Sequence, residues 1–248
     1  MKKLFIASLL LGINLFASTL HIAVAANVSY AIKPLLQAFK QQHPSIDVEV
    51  NLGSSGKLTA QIMHGARYDI FLSANMLYPD KLAQNGFTLK EPKVYAQGAL
   101  VLLSTQKRDF TQGLTLLQSP SIRRIAMANP KTAPYGKATL EVLQKSGLYK
   151  TLHSKLIYGE SVGQTLSFTI TAADVGFVAK SALFAPQMKK YNNKEHSYEI
   201  NTQLYSPIKQ GIALLKHAKG NKEASTLYNY FFSPTAQTIL QNYGYTLP

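Results

Sequence analysis

Residues 20–74 read LHIAVAANVSYAIKPLLQAFKQQHPSIDVEVNLGSSGKLTAQIMHGARYDIFLSA, and the changes of period within them decide the fold. Leu20 to Ala25 is a short apolar run, the pattern of a buried strand, and it ends in the small, polar Ala25-Ala26-Asn27. From Tyr30 to Gln42, apolar Ile32, Leu35, Leu36 and Phe39 recur at helical spacing; Pro34 calls for a place in the first turn, and His43-Pro44 stops the helix. Ile46, Val48 and Val50 alternate with Asp47 and Glu49 as a second strand, which enters the loop Gly53-Ser54-Ser55-Gly56-Lys57. Leu58, Ile62 and Met63 mark another helix ending near Gly65, and Asp69 to Ser73 form a third, apolar strand. Such alternation argues for a parallel sheet covered by helices. Ligands bind these sheets at the carboxyl ends of strands, where loops lead into helix N-termini, and Asn27 and Ser55 both fall there.

The pattern restarts in the second half. Arg124 to Ala128 reads as a strand, Asn129 to Gly136 as a rigid turn, about Lys137 to Ser146 as a helix stopped by Gly147, and Leu156 to Tyr158 as a strand. Glu160-Ser161-Val162-Gly163-Gln164 leads into helical Thr165 to Thr171, and the apolar strand Val175 to Val178 follows Asp174. Strands Gly98 to Ser104 and about Ile208 to Leu215 read as crossings between the halves, and the amphipathic tail Ala224 to Leu240 packs back on the first half. The expected fold is α/β and two-lobed, each lobe a mostly parallel sheet flanked by helices, with the ligand cleft between them. The divisions expected are 1–17 for a signal peptide, 18–97 plus 205–248 for the first lobe, and 98–204 for the second.

With 248 residues, 46% of them hydrophobic, the chain is long enough for two domains of roughly 100 residues with a substantial core. Lys2 and Lys3, the apolar stretch Leu4 to Phe16 and the small pair Ala17-Ser18 have the order and length of a secretory signal peptide, with the cut placed after Ala17. That stretch is too short for a membrane anchor. Cysteine is absent, which excludes disulfides and a lipid on an N-terminal cysteine, so the expectation is an exported protein that is free and soluble, and the resemblance given below implies the periplasm. Removal of Lys2 and Lys3 takes the formal charge from +14 to +12. The basic residues are spread along the whole length without a nucleic-acid motif, which reads as a solvated surface whose field favours anions and not as a nucleic-acid site.

Three segments, Ala25 to Asn27, Gly53 to Lys57 and Asn129 to Gly136, suit an anion surrounded by neutral donors: small residues let backbone approach, and hydroxyl, amide and turn chemistry leave N–H groups free. The Gly53 to Lys57 loop fails the nucleotide-binding P-loop pattern, because Asn51 and Leu58 stand where it needs Gly and Ser or Thr. Its serines either cap the helix or donate to a ligand, and the loop alone leaves both open. Pro and Gly in Asn129 to Gly136 mark any tight turn. No Gly-X-Ser-X-Gly elbow occurs, the six histidines are scattered, no histidine pair has metal-site spacing, and Asp69 and Asp174 are placed to accept bonds from loop N–H groups. A binding protein is therefore expected, not an enzyme.

With these loops placed, the sequence resembles the periplasmic molybdate-binding proteins that feed ATP-driven importers. The resemblance covers the chain beyond the signal and rests on Ala25-Ala26-Asn27, Gly53-Ser54-Ser55-Gly56, Tyr68 to Ala74, Ala128-Asn129-Pro130, Ala133-Pro134-Tyr135-Gly136, Ser161-Val162-Gly163-Gln164, Gly176-Phe177-Val178-Ala179 and Tyr243-Gly244-Tyr245. It implies the periplasmic-binding-protein fold and a tetrahedral dianion, molybdate or tungstate, held between the lobes by neutral donors without a cofactor. Molybdenum would be present only within the bound oxyanion. The donors implied are Asn27 and Ser55 from the first lobe and the backbone N–H groups of Tyr135 and Val162 from the second, with at most a backbone contact from Ala26. Many such relatives have serine at the place of Asn27 and a ligand-contacting tyrosine at that of Ala179, so this chain resembles the branch without that tyrosine. The implied partner is a membrane permease, and the implied state a monomer. A receptor for sulfate or phosphate, and a secreted hydrolase using Ser55, are the alternatives.

Overall fold

The first apolar run forms β1 (Thr19–Ala25), and the computed structural model describes the chain from there, residues 19–248; the signal-peptide reading of 1–17 lies outside the described residues. A single 3-10 turn, Ala26–Val28, continues directly into α1 (Ser29–Gln42). Then follow β2 (Asp47–Gly53), α2 (Ser55–Met63), β3 (Ile70–Ser73), α3 (Leu77–Gln84), β4 (Lys93–Gly98), β5 (Leu100–Leu103), β6 (Ile125–Ala128), α4 (Pro134–Lys145) and α5 (Tyr149–Leu152). The rest is β7 (Leu156–Gly159), α6 (Val162–Thr171), β8 (Val175–Ala179), β9 (Ser197–Glu199), β10 (Ile208–Leu214), α7 (Lys222–Tyr230) and α8 (Pro234–Asn242).

The strands form two five-stranded sheets with equivalent orders, β2-β1-β3-β10-β4 and β7-β6-β8-β5-β9. In the first, β1 pairs parallel with β2 and β3, while β10 lies antiparallel between β3 and β4. In the second, β6 pairs parallel with β7 and β8, and β5 lies antiparallel between β8 and β9. Four strands of each sheet thus point one way and one points back. The reversed strands, β5 and β10, are the first ones formed after the chain changes sheets. Neither spans both lobes as the sequence suggests: the crossings are the single residue Ala99 and the segment 200–207.

Each sheet has its own core. Leu20, Ile22, Val24, Leu35 and Phe39 pack with Leu227, Phe231 and Leu240, so the tail helices α7 and α8 cover the first sheet as expected. Ile125, Met127, Val142, Leu143, Val175 and Phe177 centre the second. The two aspartates play one role in both lobes. Asp69, before β3, accepts from the His21 N–H of β1 (2.9 Å), and Asp174, before β8, accepts from the N–H groups of Arg123 (2.8 Å) and Arg124 (2.9 Å) ahead of β6.

Three helix starts differ from the sequence reading. Pro34 lies one turn inside α1 and not in its first turn, because the helix begins upstream at Ser29. Burial of Ile32, Leu35 and Phe39, at roughly 1.5–3 kcal/mol per side chain, outweighs the roughly 3 kcal/mol cost of an interior proline. α4 starts at Pro134, where a missing N–H costs nothing, and α6 starts at Val162 behind the N-cap Ser161. Both shifts move helix N-termini onto residues read as loop. Among the described residues no helix is long and apolar enough to cross a membrane.

Candidate functional site

Four helices begin at one place between the lobes. β1 leads into the Ala26–Val28 turn and α1, β2 into α2, β6 through a loop into α4, and β7 into α6. Their starts line a narrow cavity formed by Ala25, Ala26, Asn27, Gly53, Ser54, Ser55 and Ala74 from the first lobe and Ala133, Pro134, Tyr135, Ser161 and Val162 from the second. All five residues anticipated from sequence, Ala26, Asn27, Ser55, Tyr135 and Val162, are buried and line it together. Its volume, about 10 Å3, is far below the roughly 300–1,000 Å3 of sites for drug-sized ligands, so it leaves room only for a small occupant. No Asp, Glu, Lys, Arg or His lines it, and among the described residues no cluster of acidic or histidine side chains could hold a metal ion.

The donors come from uncapped helix starts. A helix leaves its first N–H groups without intrahelical partners, and side-chain caps normally take some of them. Of the helices that begin elsewhere, α7 and α8 are capped in this way by Asn221 and Ser233, while α3 and the single turn α5 are not. At the cavity, the Ala26–Val28 turn, α2 and α4 have no side-chain cap, and Ser161 takes only the Gln164 N–H of α6. The first-turn N–H groups of Asn27, Ser55, Tyr135 and Val162 are thereby left for whatever occupies the space. Each helix also adds roughly half a positive charge at its N-terminus, so the cavity favours an anion without any cationic side chain.

The capping role open to the loop serines is not the one they take. Neither serine caps α2; instead Ser55 Oγ accepts from the Ala74 N–H at 3.0 Å, which leaves its own proton to donate. Asn27 departs from the expected side-chain donor. Its Nδ2 already donates to Gln210 Oε1 (2.8 Å) and to the Tyr245 hydroxyl (3.0 Å), so the donor it offers the cavity is its backbone N–H. Asn27 Oδ1 and the nearby Tyr135 hydroxyl are buried without a hydrogen-bond partner. The Tyr135 hydroxyl lies against Gly98, beside the first crossing between the lobes. A Cβ on Gly98 would lie 2.2 Å from its hydroxyl, so only glycine fits where the chain crosses. Burial pushes the Tyr135 phenol well above its ordinary pKa, with Tyr245, Tyr205 and Tyr95 adding and Asn27 opposing. Burial likewise pushes Tyr245 up to about 12, so both phenols stay protonated in the working pH range.

The lobes are in contact around the site. The Gly56 N–H donates to Thr132 O at 2.9 Å across the cleft, and a Cβ at Gly56 would meet that oxygen at 2.9 Å. Lys57 Nζ lies 3.2 Å from Glu160 Oε2 at the rim, which holds the nearest carboxylate outside the cavity. Ala179 is buried at the end of β8 and does not line the space. Sequence reasoning missed Gln210, Tyr245 and Ser181 as supports of Asn27, because 183, 218 and 154 residues separate them from it.

A cavity at paired strand ends, walled by two lobes that the chain crosses twice, is the arrangement of a solute receptor. The family described as bacterial extracellular solute-binding protein matches residues 20–246. The chain belongs to this family of solute-binding proteins. Within it, the molybdate-binding protein ModA of Azotobacter vinelandii is 33% identical over 233 residues, covering 93% of this chain and 91% of the relative. ModA of Rhodobacter capsulatus is 34% identical over 242 residues, covering 96% and 93%. The solved structure of the Azotobacter vinelandii periplasmic molybdate-binding protein matches with a TM-score of 0.86 at 32% identity, over 92% of this solute-binding protein and 99% of that one. The resemblance read from the motifs thus extends over the described fold, and these relatives are binding proteins, not enzymes.

Proposed function

We propose that this protein is a periplasmic receptor that closes its lobes on molybdate or tungstate and delivers the oxyanion, as a monomer, to the membrane permease of an ABC importer. The observation that carries this reading is the convergence of four helix starts, uncapped or partly capped, and the Ser55 hydroxyl on one narrow cavity without a charged wall. Molybdate and tungstate carry no proton at neutral pH, so donors match every oxygen. Hydrogen phosphate requires an acceptor for its proton, and the nearest carboxylate, Glu160, is held at the rim by Lys57. Sulfate has the same charge and shape but shorter bonds, which stretches its contacts in a cage sized for the larger ions. Catalysis is not part of the proposal: Ser55 Oγ has a backbone N–H for a neighbour and no imidazole lines the cavity. Donors from both lobes meet one ion only when the cleft shuts, so the ligand favours the closed form, the form offered to the permease.

The test is a thermal unfolding scan of the protein from Ser18 onward with molybdate, tungstate, sulfate, phosphate or no anion, followed by calorimetric titration. Ligand at about a thousand times its dissociation constant adds about 4 kcal/mol of stability, a shift of several degrees. A shift with molybdate and tungstate alone is expected. A shift with sulfate or phosphate instead replaces the ligand, and no shift with any anion overturns the receptor reading.

A further inference from the structure

Four hydrogen bonds converge on Asn27 from three distant parts of the chain. Its carbonyl accepts from Ser181 Oγ (2.8 Å) and from the Tyr245 hydroxyl (2.9 Å), while its Nδ2 donates to Gln210 Oε1 (2.8 Å) and back to Tyr245 (3.0 Å). Gln210 is oriented in turn: its Nε2 donates to Ile208 O at 2.8 Å and reaches Ala74 O at 3.4 Å. Ala74 donates its N–H to Ser55 Oγ, so one connected series runs from Asn27 through Gln210 and Ala74 to Ser55. All of these side chains are buried. The ends of the network differ in origin. Gln210 on β10 and Tyr245 after α8 belong with the first sheet, whereas Ser181 follows β8 of the second.

We infer that Ser181, Gln210 and Tyr245 are positioning residues of the oxyanion site. Gln210 and Tyr245 fix Asn27 within its own lobe, and Ser181 adds its bond only when the second lobe is closed. Ser181 thereby makes the geometry at Asn27 depend on closure, without touching the ion. This rests on the receptor reading above and extends it to residues outside the cavity wall.

The natural chain has no cysteine, so spin labels on Gln84→Cys in α3 and Gln144→Cys in α4, both exposed, report the separation of the lobes. Ser181→Ala and Tyr245→Phe each remove one hydroxyl in this labelled background. Calorimetry with molybdate is expected to give a dissociation constant about tenfold higher in both, the loss of roughly one hydrogen bond. Without ligand, Ser181→Ala is expected to shift the label distances to longer values, and Tyr245→Phe to leave them unchanged. A purely structural role would lower the melting temperature while moving neither quantity. Affinities within twofold of the parent for both variants overturn the inference. If the parent itself binds none of the four anions, the receptor reading fails, and unchanged label distances in Ser181→Ala then overturn the closure role separately.

Discussion

Ser55 has two jobs on one oxygen. Its Oγ accepts from the Ala74 N–H and keeps its own proton to donate, so Ser55→Ala removes the proposed ligand donor and leaves a buried N–H without a partner. A hydrogen bond to a charged group contributes about 1.5–3 kcal/mol, so the dissociation constant for molybdate should rise about 10- to 100-fold in calorimetry. The unliganded protein should also lose about 1–3 kcal/mol in urea unfolding; an unchanged affinity would remove Ser55 from the site. Asp174 illustrates a different single-residue effect. Burial favours its neutral form, but the N–H groups of Arg124 and Arg123 and the Arg108 and Arg124 guanidinium charges outweigh this and hold its pKa below the ordinary carboxylate value. A depressed pKa stabilises the fold above the unfolded value, near 4, and the contribution disappears as pH falls through the folded one. Melting temperatures measured from about pH 6 to about pH 2 should therefore drop less steeply in Asp174→Asn than in the parent, and equal slopes would count against this role.

At the scale of elements, the proposed function places the binding chemistry at helix starts. Val162 is the first residue of α6, and Ser161 before it is extended at φ −141°, ψ 165°, a conformation that precedes proline comfortably. Val162→Pro should keep the helix while deleting one N–H donor, raising the molybdate dissociation constant about tenfold or more. Circular dichroism checks the helix and calorimetry the binding; retained affinity with intact helix content would show that this N–H does not reach the ion. Much at this scale was legible in the sequence. The period changes from Leu20 to Ser73 and from Ile125 to Val178 identify strands and helices because each buries one face against its own sheet. The starts of α4 and α6 were harder to read, since proline and serine there signal a turn and a helix cap equally well. The engagement of Asn27 was not legible at all. Local period carries no trace of a glutamine on β10 or a tyrosine near the C-terminus folding back upon it.

For the molecule as a whole, charge and cavity divide the work. The surface carries a large positive excess, +14 over the full sequence, whereas the cavity wall carries none. The long-range field therefore acts on the approach of a dianion and the neutral cage on its retention. Stopped-flow association rates for molybdate should fall as salt rises from about 10 mM to about 150 mM, where screening acts within roughly 8 Å, while dissociation rates stay nearly constant. The opposite pattern would place the electrostatics in the bound state. The order of strands in the first sheet bears on a separate matter, the sequence of events in folding. β10 separates β4 from β3, yet some 110 residues that build the whole second sheet lie between β4 and β10 in the chain. Until the ribosome has made Leu214, β4 has no strand to pair with and β3 lacks one neighbour. The lobe that begins first must finish last, so a nascent chain remains open and threadable through most of its synthesis.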